Sequence, residues 1–227
     1  MKSDKSNLTV RYADGRDTDA LYKLWKECFH DTDAFMAYYF DYYLRDNRIL
    51  ILEQKNQLKS MIHLNPYTLS VCGKKVNSQY VVGVATDADF RHRGAMTRLL
   101  QRTFSDCYAG RIPLIYLMPA NEAIYTPFQF AYIYSQYVEK KTNKLFSSIH
   151  NVDAAIVKDI SAHPVSAEVE RQQLADWSNS LLSRHYDVFT WRDAYYFERL
   201  QMENQADGGD LLLLSANGKQ IGYVSYA

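Results

Sequence analysis

The sequence QYVVGVATDADFRHRGAMTRLL, residues 79–100, places an apolar strand, a basic turn with one glycine and an amphipathic helix in direct succession. The strand is rich in valine, which is typical of a strand that is covered on both faces. A helix that begins at a tight turn leaves backbone N–H groups unpaired, and its dipole adds partial positive charge there. The sequence therefore predicts an anion site, suited to a phosphate, at residues 91–97. The helix carries one apolar stripe, made of Met96, Leu99, Leu100, Phe104 and Cys107.

The side chains of the turn fit the same interpretation. Gly94 has no Cβ, so the backbone can approach a ligand closely. Arg91 and Arg93 can donate charge-assisted hydrogen bonds to an anion. Taken alone, the four residues Arg-His-Arg-Gly would be better explained by a solvated basic turn at the start of a helix.

The overall charge makes any anion site a local feature. Lys plus Arg and Asp plus Glu both number 26 in 227 residues, so the net charge is zero. Nucleic-acid-binding proteins usually carry a clear basic excess, which argues against a nucleic-acid partner. No apolar run approaches the ~18 residues of a membrane span, and the opening MKSDKSN is polar, so we expect neither a membrane partner nor a signal peptide.

The cysteines and histidines predict no disulfide framework and no metal site. Cys28, Cys72 and Cys107 are odd in number and widely spaced, which favours reduced thiols and a cytoplasmic location. The nearest approach to metal-ligand spacing is His30-Asp31-Thr32-Asp33, and a helix cap explains it better. The chain holds 19 tyrosines, many within FMAYYFDYYL at 35–44, which predict either core packing or the wall of a groove for an organic ligand.

Hydrophobic periodicity and turn residues predict a mixed α/β fold. The expected elements are a strand at 8–12, helices at about 17–29 and 33–44, two strands within 48–64, a strand pair punctuated by Pro66 and Gly73, the strand and helix already described, a strand at 113–119, a short turn or helix to Phe128, and a strand at 131–139.

A second, shorter unit is predicted after the polar segment KKTNK at 140–144. The aromatic helix at 191–201 and the hairpin at 210–227, with its Asn217-Gly218 turn, repeat the order of residues 33–64. We therefore expect a first domain over 1–140 and, over 141–227, a linker and an incomplete copy of it, with convergent patterning as the alternative. A further helix is expected at 168–183, with Val169, Leu174, Trp177, Leu181 and Leu182 as its apolar positions.

The strand, the turn Arg91-His92-Arg93-Gly94 and the helix resemble the GNAT superfamily of acyl-CoA-dependent N-acyltransferases. The segment NEAIYTPFQF at 121–130 is similar to a motif of its enhanced-intracellular-survival-type branch. Met96 stands where the superfamily usually has glycine or alanine, although that branch often has a larger residue there, and Gln129 replaces a glycine of the branch motif. The resemblance covers about residues 8–138. It implies a mixed, largely antiparallel sheet flanked by helices, followed here by a partial second GNAT-like unit.

The resemblance implies acetyl-CoA as the cofactor and assigns residues to it. In this superfamily the turn wraps the pyrophosphate of coenzyme A, and the valine-rich strand splays from the next strand to pair with the pantetheine. A backbone N–H near Val82 or Val84 would polarise the thioester carbonyl, in the manner of an oxyanion hole. Tyr125 occupies the position of the general acid, which stays protonated at neutral pH because its unperturbed pKa is near 10. The implied cofactor contacts are Val82, Gly83, Val84, Arg91, His92, Arg93, Gly94, Ala95, Met96 and Thr97.

The acceptor site is expected on the far side of the sulfur, built from the first two helices and the hairpin at 48–64. Aromatic walls with a carboxylate suit a cationic amine, and the candidate residues are Asp33, Phe35, Tyr38 and Tyr39. No base is assigned, because the strand lacks the glutamate that many superfamily members carry there. The resembled branch uses a C-terminal carboxylate from a third domain, which these 227 residues do not include. A water, Asp31, Asp33 or Glu122 remain the alternatives.

The sequence thus predicts an acetyl-CoA-dependent N-acetyltransferase that acts by direct transfer on a primary amine of a small molecule or peptide. The oligomeric state is left open, with a homo-oligomer as one case. One alternative function is a non-catalytic acyl-CoA-binding sensor or scaffold. The other is a phosphate- or RNA-binding surface built from Arg91, Arg93, Arg98 and Arg102, which the zero net charge disfavours.

Overall fold

The computed structural model describes residues 8–134 and 160–227, in which the larger sheet has six strands. Its first five strands follow one another in space as they do along the chain, and every pairing is antiparallel except that between the fourth strand and the fifth. The strands of this sheet are β1 (Leu8–Tyr12), β2 (Arg48–Gln54), β3 (Gln57–Val71), β4 (Lys74–Thr86), β5 (Leu114–Tyr116) and β7 (Val188–Thr190), the last of which pairs with β3.

Helices cover both faces of this sheet, which confirms the predicted mixed, largely antiparallel fold. The helices α1 (Thr18–Cys28) and α2 (Asp33–Asp41) pack an aromatic-rich core against one face. The helix α3 (Ala95–Ala109) covers the other face with the predicted stripe, in which Leu99 and Leu100 are fully buried. A four-residue helix, α4 (Glu122–Tyr125), follows β5.

Pro66 lies inside one long strand, so the strand break expected beside it is wrong. The chain of β3 continues for 15 residues, and Pro66 pairs with Gln79 of β4. On the other side of β3, the first residue of β2 pairs with Leu64 and the last residue of β7 pairs with Leu69, so among the described strands none faces the proline there. A strand can accept a proline there because no ladder on that side is interrupted.

The second half has the order strand, helix, helix and hairpin, as the first half does, with the short strand β7 inserted between its two helices. The strand β6 (Ile160–Pro164), the helices α5 (Glu168–Leu182) and α6 (Ala194–Ala206), and the hairpin β8 (Asp210–Ala216) and β9 (Lys219–Tyr226) build a three-stranded sheet with its own core. Strand, two helices and hairpin is also the order from β1 to β3. This shared order agrees with the partial second unit expected from the sequence.

The hairpins β2–β3 and β8–β9 share the same turn geometry. Each has a two-residue turn with positive φ at both positions, 51° and 62° at Lys55-Asn56, and 50° and 70° at Asn217-Gly218. In each, the pairing register shifts at the same distance before the turn, between Leu52 and Glu53 and between Leu214 and Ser215.

At residues 131–134, in α5 and at β7 the structure differs from the sequence predictions. Residues 131–134 form no regular structure, while the rest of the strand expected at 131–139, the segment at 140–144 and the boundary between 140 and 141 lie outside the described residues. Two predicted apolar positions of α5 are exposed, Val169 at 67% and Leu181 at 41%, because that helix buries Leu174, Ala175 and Ser178 instead. The strand β7, which joins the first sheet, was not predicted.

All three cysteines are free thiols, as expected. Within residues 8–134 and 160–227, no helix combines the length and the apolar character that crossing a membrane requires.

Candidate active site

The strands β4 and β5 separate at the point where the sequence predicts a ligand. They pair only from Ser78 to Tyr80, opposite Leu114 to Tyr116. From residue 81 to 86, β4 has a partner in β3 alone among the described strands. The backbone on its other side is therefore available to an incoming chain of amide groups, which the resemblance implied.

A bulge at Gly83 lies at this opening. The pairs His63 with Val82 and Met61 with Ala85 leave two residues of β4 opposite one of β3. Gly83 has φ of 58°, the left-handed region that favours glycine. A Cβ on Gly83 would lie 2.3 Å from a ring carbon of Trp25, so the position excludes side chains by space as well as by dihedral.

The basic turn connects this strand to α3. Gly94 is the N-cap of α3 with φ of 77°, and a Cβ built there would meet no atom within 4 Å. The first helical bond runs from the Arg98 N–H to the Gly94 carbonyl, at 3.2 Å. The N–H groups of residues 95–97 therefore have no partner inside the helix, and they lie at its positive end.

The two arginines of the turn are exposed and held by weak contacts. The Arg91 Nε donates to the Thr86 carbonyl at 3.2 Å, and the Arg93 guanidinium lies 5.3 Å from the Phe90 ring centroid. His92 has φ of 59° and is exposed. Both guanidinium groups can thus turn to an anion at the helix end at little energetic cost.

Tyr125 ends α4, and its ring centroid lies 5.9 Å from that of Phe130. Burial raises the pKa of Tyr125 above its usual value, so the phenol keeps its proton at neutral pH. The side chain of Asn121 caps this short helix by accepting from the Ala123 N–H. Gln129, at the position of the motif's glycine, has φ of 65°, which explains why glycine is usual there.

The four predicted acceptor residues fall in different surroundings. Asp33 is exposed and forms an ion pair with Lys26 at 2.7 Å. Tyr38 and Tyr39 are buried in the core, where the Tyr39 hydroxyl lies 3.2 Å from the His63 Nδ1 and the Tyr38 hydroxyl donates to the Arg199 carbonyl at 2.9 Å. Phe35 is half-buried beside them, with its ring centroid 5.9 Å from that of Tyr39.

Sequence reasoning missed a second group of tyrosines on the same face of the sheet. Tyr67 of β3, Tyr80 of β4 and Tyr116 of β5 place their rings 5.1 to 6.2 Å apart, centroid to centroid. The Tyr43 hydroxyl lies 2.7 Å from that of Tyr67. We call Tyr43, Tyr67, Tyr80 and Tyr116 the tyrosine cluster. Tyrosines on three strands were a visible signal, but only strand pairing shows that they meet.

Two other surface features, an ion pair on α3 and a separate cavity, add little to the candidate site. Arg102 forms an ion pair with Asp106 at 2.9 Å, which weakens the case for a wider basic surface along α3. A cavity of about 460 Å³ between Tyr12 and Arg48 shares no residue with the opening between β4 and β5.

Comparison with known proteins finds one matching family and several solved structures of similar fold. The family described as acetyltransferase (GNAT) domain matches residues 9–133. None of the curated proteins matches the chain. A probable N-acyltransferase from Enterococcus faecalis V583 superposes with a TM-score of 0.68 at 15% identity, over 96% of this chain and 54% of that one. This chain therefore spans about half the length of that protein.

Two further solved structures resemble a little over half of this chain. A predicted acetyltransferase from Clostridium acetobutylicum, solved with acetyl-CoA, has a TM-score of 0.51 and 18% identity over 59% of this chain and 96% of its own. AAC(6')-Iy, in complex with a bisubstrate analogue, CoA-S-monomethyl-acetylneamine, has a TM-score of 0.51 and 13% identity over 60% and 99%. At these identities the likenesses show a shared fold.

Proposed function

This chain belongs to the GNAT acetyltransferase family, and on that basis we propose that it moves an acetyl group from acetyl-CoA to a primary amine of a small molecule or peptide. The observation that carries the proposal is the opening between β4 and β5 next to the bare amides of residues 95–97. A long donor with a diphosphate at one end needs both features side by side. The C. acetobutylicum protein that shares this fold was solved with acetyl-CoA.

The residues at the turn fit a diphosphate. The open space where a Cβ at Gly94 would project leaves room for phosphate oxygens at the helix N-terminus. Ala95, Met96 and Thr97 offer backbone N–H groups, and Arg91 and Arg93 would add charge. Val82, Gly83 and Val84 would offer backbone groups along the open edge of β4. When bound, acetyl-CoA supplies an acetyl group activated as a thioester.

In this proposal the chain itself donates a proton to the departing sulfur and polarises the thioester carbonyl. Tyr125 holds a proton on its hydroxyl at neutral pH and would give it to the departing sulfur. A backbone N–H of Val82 or Val84 would hydrogen-bond the carbonyl oxygen.

No carboxylate is assigned as the base. The Asp33 carboxylate is turned to Lys26, and that of Asp31 accepts from the Trp25 Nε1 at 2.7 Å. Glu122 is exposed in the first turn of α4. A water that removes the amine proton is the simplest arrangement.

We further propose that the chain is related to the enhanced-intracellular-survival-type branch, with one unit to residue 140 and a partial second from 141. The repeated order of strand, two helices and hairpin supports this, as does the fold shared with the E. faecalis protein over both units. The alternative is a non-catalytic acyl-CoA-binding module, which the absence of an assigned base favours.

Two glycines provide a matched test of donor binding. Gly94 and Gly73 have nearly equal φ, 77° and 78°, and both face open space, so a glutamate strains both turns equally. We expect Gly94→Glu to abolish acetyl-CoA binding in calorimetry, because its carboxylate would meet the diphosphate. Gly73→Glu should bind normally. Equal binding by both variants would remove the assigned site.

Tyr125→Phe tests the chemistry separately. Following free thiol release with acetyl-CoA and a panel of amines, we expect a loss of at least tenfold in rate with donor binding unchanged. A wild-type protein that binds acetyl-CoA yet releases no thiol with any amine would support the binding module instead.

A further inference from the structure

Arg199 of the second unit is buried against the tyrosines of the first. Its residue is 7% exposed, and its guanidinium carbon lies 4.6 Å from the ring centroid of Tyr43, 5.1 Å from that of Tyr67 and 5.0 Å from that of Tyr195. Three aromatic faces around one cation form a cage that stabilises its charge. The helix α6 therefore contributes a positive group to the face of the sheet that carries the tyrosine cluster.

Within the part of the chain that the structure describes, this guanidinium has no ionic partner. Its Nε is buried without a hydrogen bond, and no carboxylate lies within ion-pair distance. Glu203, one turn further along α6, forms no ion pair with Arg199, and burial raises the pKa of its carboxyl although the charge of Arg199 acts to lower it. A buried arginine normally has a carboxylate or several acceptors, because an uncompensated buried charge is costly. The aromatic cage offsets only part of that cost, so the site is arranged for an anion from outside.

The position of Arg199 connects it to the opening between β4 and β5. Tyr67 lies opposite Ser78, and Tyr80 pairs with Tyr116 at the last contact between the two strands. Alternation along β4 puts Ser78, Tyr80 and Val82 on one face, towards α1 and α2. At ~3.3 Å per residue, the four residues from Ser78 to Val82 separate the cage from the expected thioester position by roughly 13 Å.

We propose that Arg199 binds a carboxylate of the acceptor, so that the acceptor is an amino-carboxylate whose amine and carboxylate lie well apart. This inference rests on the proposed acetyl transfer and names the substrate class for it. Long ω-amino acids and short peptides with free C-termini meet the description, whereas a polyamine does not. The planar guanidinium can hold both carboxylate oxygens at once, which fixes the direction of the acceptor along the tyrosine cluster.

The test compares each acid with its own primary amide. Glycine, 4-aminobutyrate, 6-aminohexanoate and triglycine, each with its carboxamide, are offered as acceptors while thiol release is followed. Their binding to the protein without donor is measured by calorimetry. We expect the longer acids to exceed their amides at least tenfold in kcat/KM and in affinity, and glycine to show no such preference because it is too short.

Variants then assign the preference to one side chain. Arg199→Met should remove the preference for acids over amides, and Arg199→Lys should keep only part of it. The control is Arg45→Met, since Arg45 is exposed and lies over Tyr42, at 5.3 Å, outside the cage. Glu203→Gln, which removes a carboxylate that interacts with Arg199 from one turn further along α6, should retain or increase the preference for acids.

The outcomes separate the two proposals. Thiol release at equal rates from acids and amides, or no binding of either, overturns the carboxylate site and leaves the transferase standing. Acids that bind through Arg199 without any thiol release support the site and count against the transferase. If Arg199 only ties the two units together, Arg199→Met lowers the midpoint of thermal unfolding without changing the ratio of kcat/KM for the acids to that for their amides. Should the variant not fold, the same ratio in the wild-type protein decides the question.

Discussion

Single backbone dihedrals determine several features of the site. Gly83, His92, Gly94 and Gln129 all have positive φ within or beside it. A non-glycine residue in this region costs about 1–2 kcal/mol, so Gln129 bears a strain that the glycine of the family motif would avoid. At Gly83 the positive φ and the adjacent Trp25 indole both exclude a side chain. The residue lies in the bulge beside the open edge of β4.

Gly83→Ala should lower the free energy of unfolding by about 3 kcal/mol, because the new methyl overlaps the Trp25 ring and the dihedral is strained. Urea titration measures the change. Gly15→Ala is the control, since a Cβ at Gly15 meets nothing within 4 Å and its φ is not positive, and its effect should stay within about 0.5 kcal/mol. A Gly83→Ala protein as stable as wild type would contradict this account.

Among the elements, the two hairpins share one turn geometry, but only one of them has the turn residues that favour it. Both turns need positive φ at two successive residues, and two-residue hairpins of this kind favour Asn-Gly. The second hairpin has Asn217-Gly218, but the first has Lys55-Asn56, where a lysine carries the strain of the first position. The register shift before both turns shows that the geometry belongs to the repeated element rather than to the particular residues.

Exchanging the turn sequences should therefore move stability in opposite directions. Lys55→Asn with Asn56→Gly should raise the free energy of unfolding by about 0.5–1 kcal/mol, as optimised turns commonly do. Asn217→Lys with Gly218→Asn should lower it by a similar amount. Urea denaturation of the pair provides the comparison, and two changes of the same sign would show that the turns are not equivalent.

At the scale of the whole molecule, the two units meet through α2 and α6. Met202 and Ala206 of α6 pack against the aromatic core of the first unit, and the Thr32 hydroxyl donates to Asp207 at 2.7 Å. Behind that core lies His63, fully buried between Trp25 and Tyr39. Burial lowers the pKa of His63 to about 3, so the ring is neutral in the folded protein at neutral pH.

This histidine makes the folded state sensitive to mild acid. In the unfolded chain the ring takes up a proton near pH 6.5, whereas in the folded protein it does so only near 3, so stability falls as the pH drops between those values. Between pH 7 and 5 the loss should be about 2 kcal/mol. His63→Gln should remove that part of the pH dependence.

Tyr39→Phe is the matched variant for this measurement, because it deletes the hydroxyl beside the His63 Nδ1 and leaves the ring buried. It should keep the full dependence in urea titrations at pH 5, 6 and 7. An unchanged dependence in His63→Gln would mean that other groups cause the loss.

The sequence by itself determined the strand, turn and helix at 79–109 and both hairpins. These follow from apolar periodicity and turn chemistry, which act over a few residues. It could not determine that Pro66 lies inside a strand, that β7 joins the first sheet, or that Asp33 turns to Lys26. Those features depend on which surfaces meet after the chain has folded.

The same limit applies to the candidate site. The basic turn and Tyr125 could be found from a short motif, because their neighbours in space are also neighbours in sequence. The cage around Arg199 could not, since it joins a helix of the second unit to residues more than a hundred positions earlier. Burial of one cation among three tyrosines is a product of packing between units, and only the tertiary structure decided it.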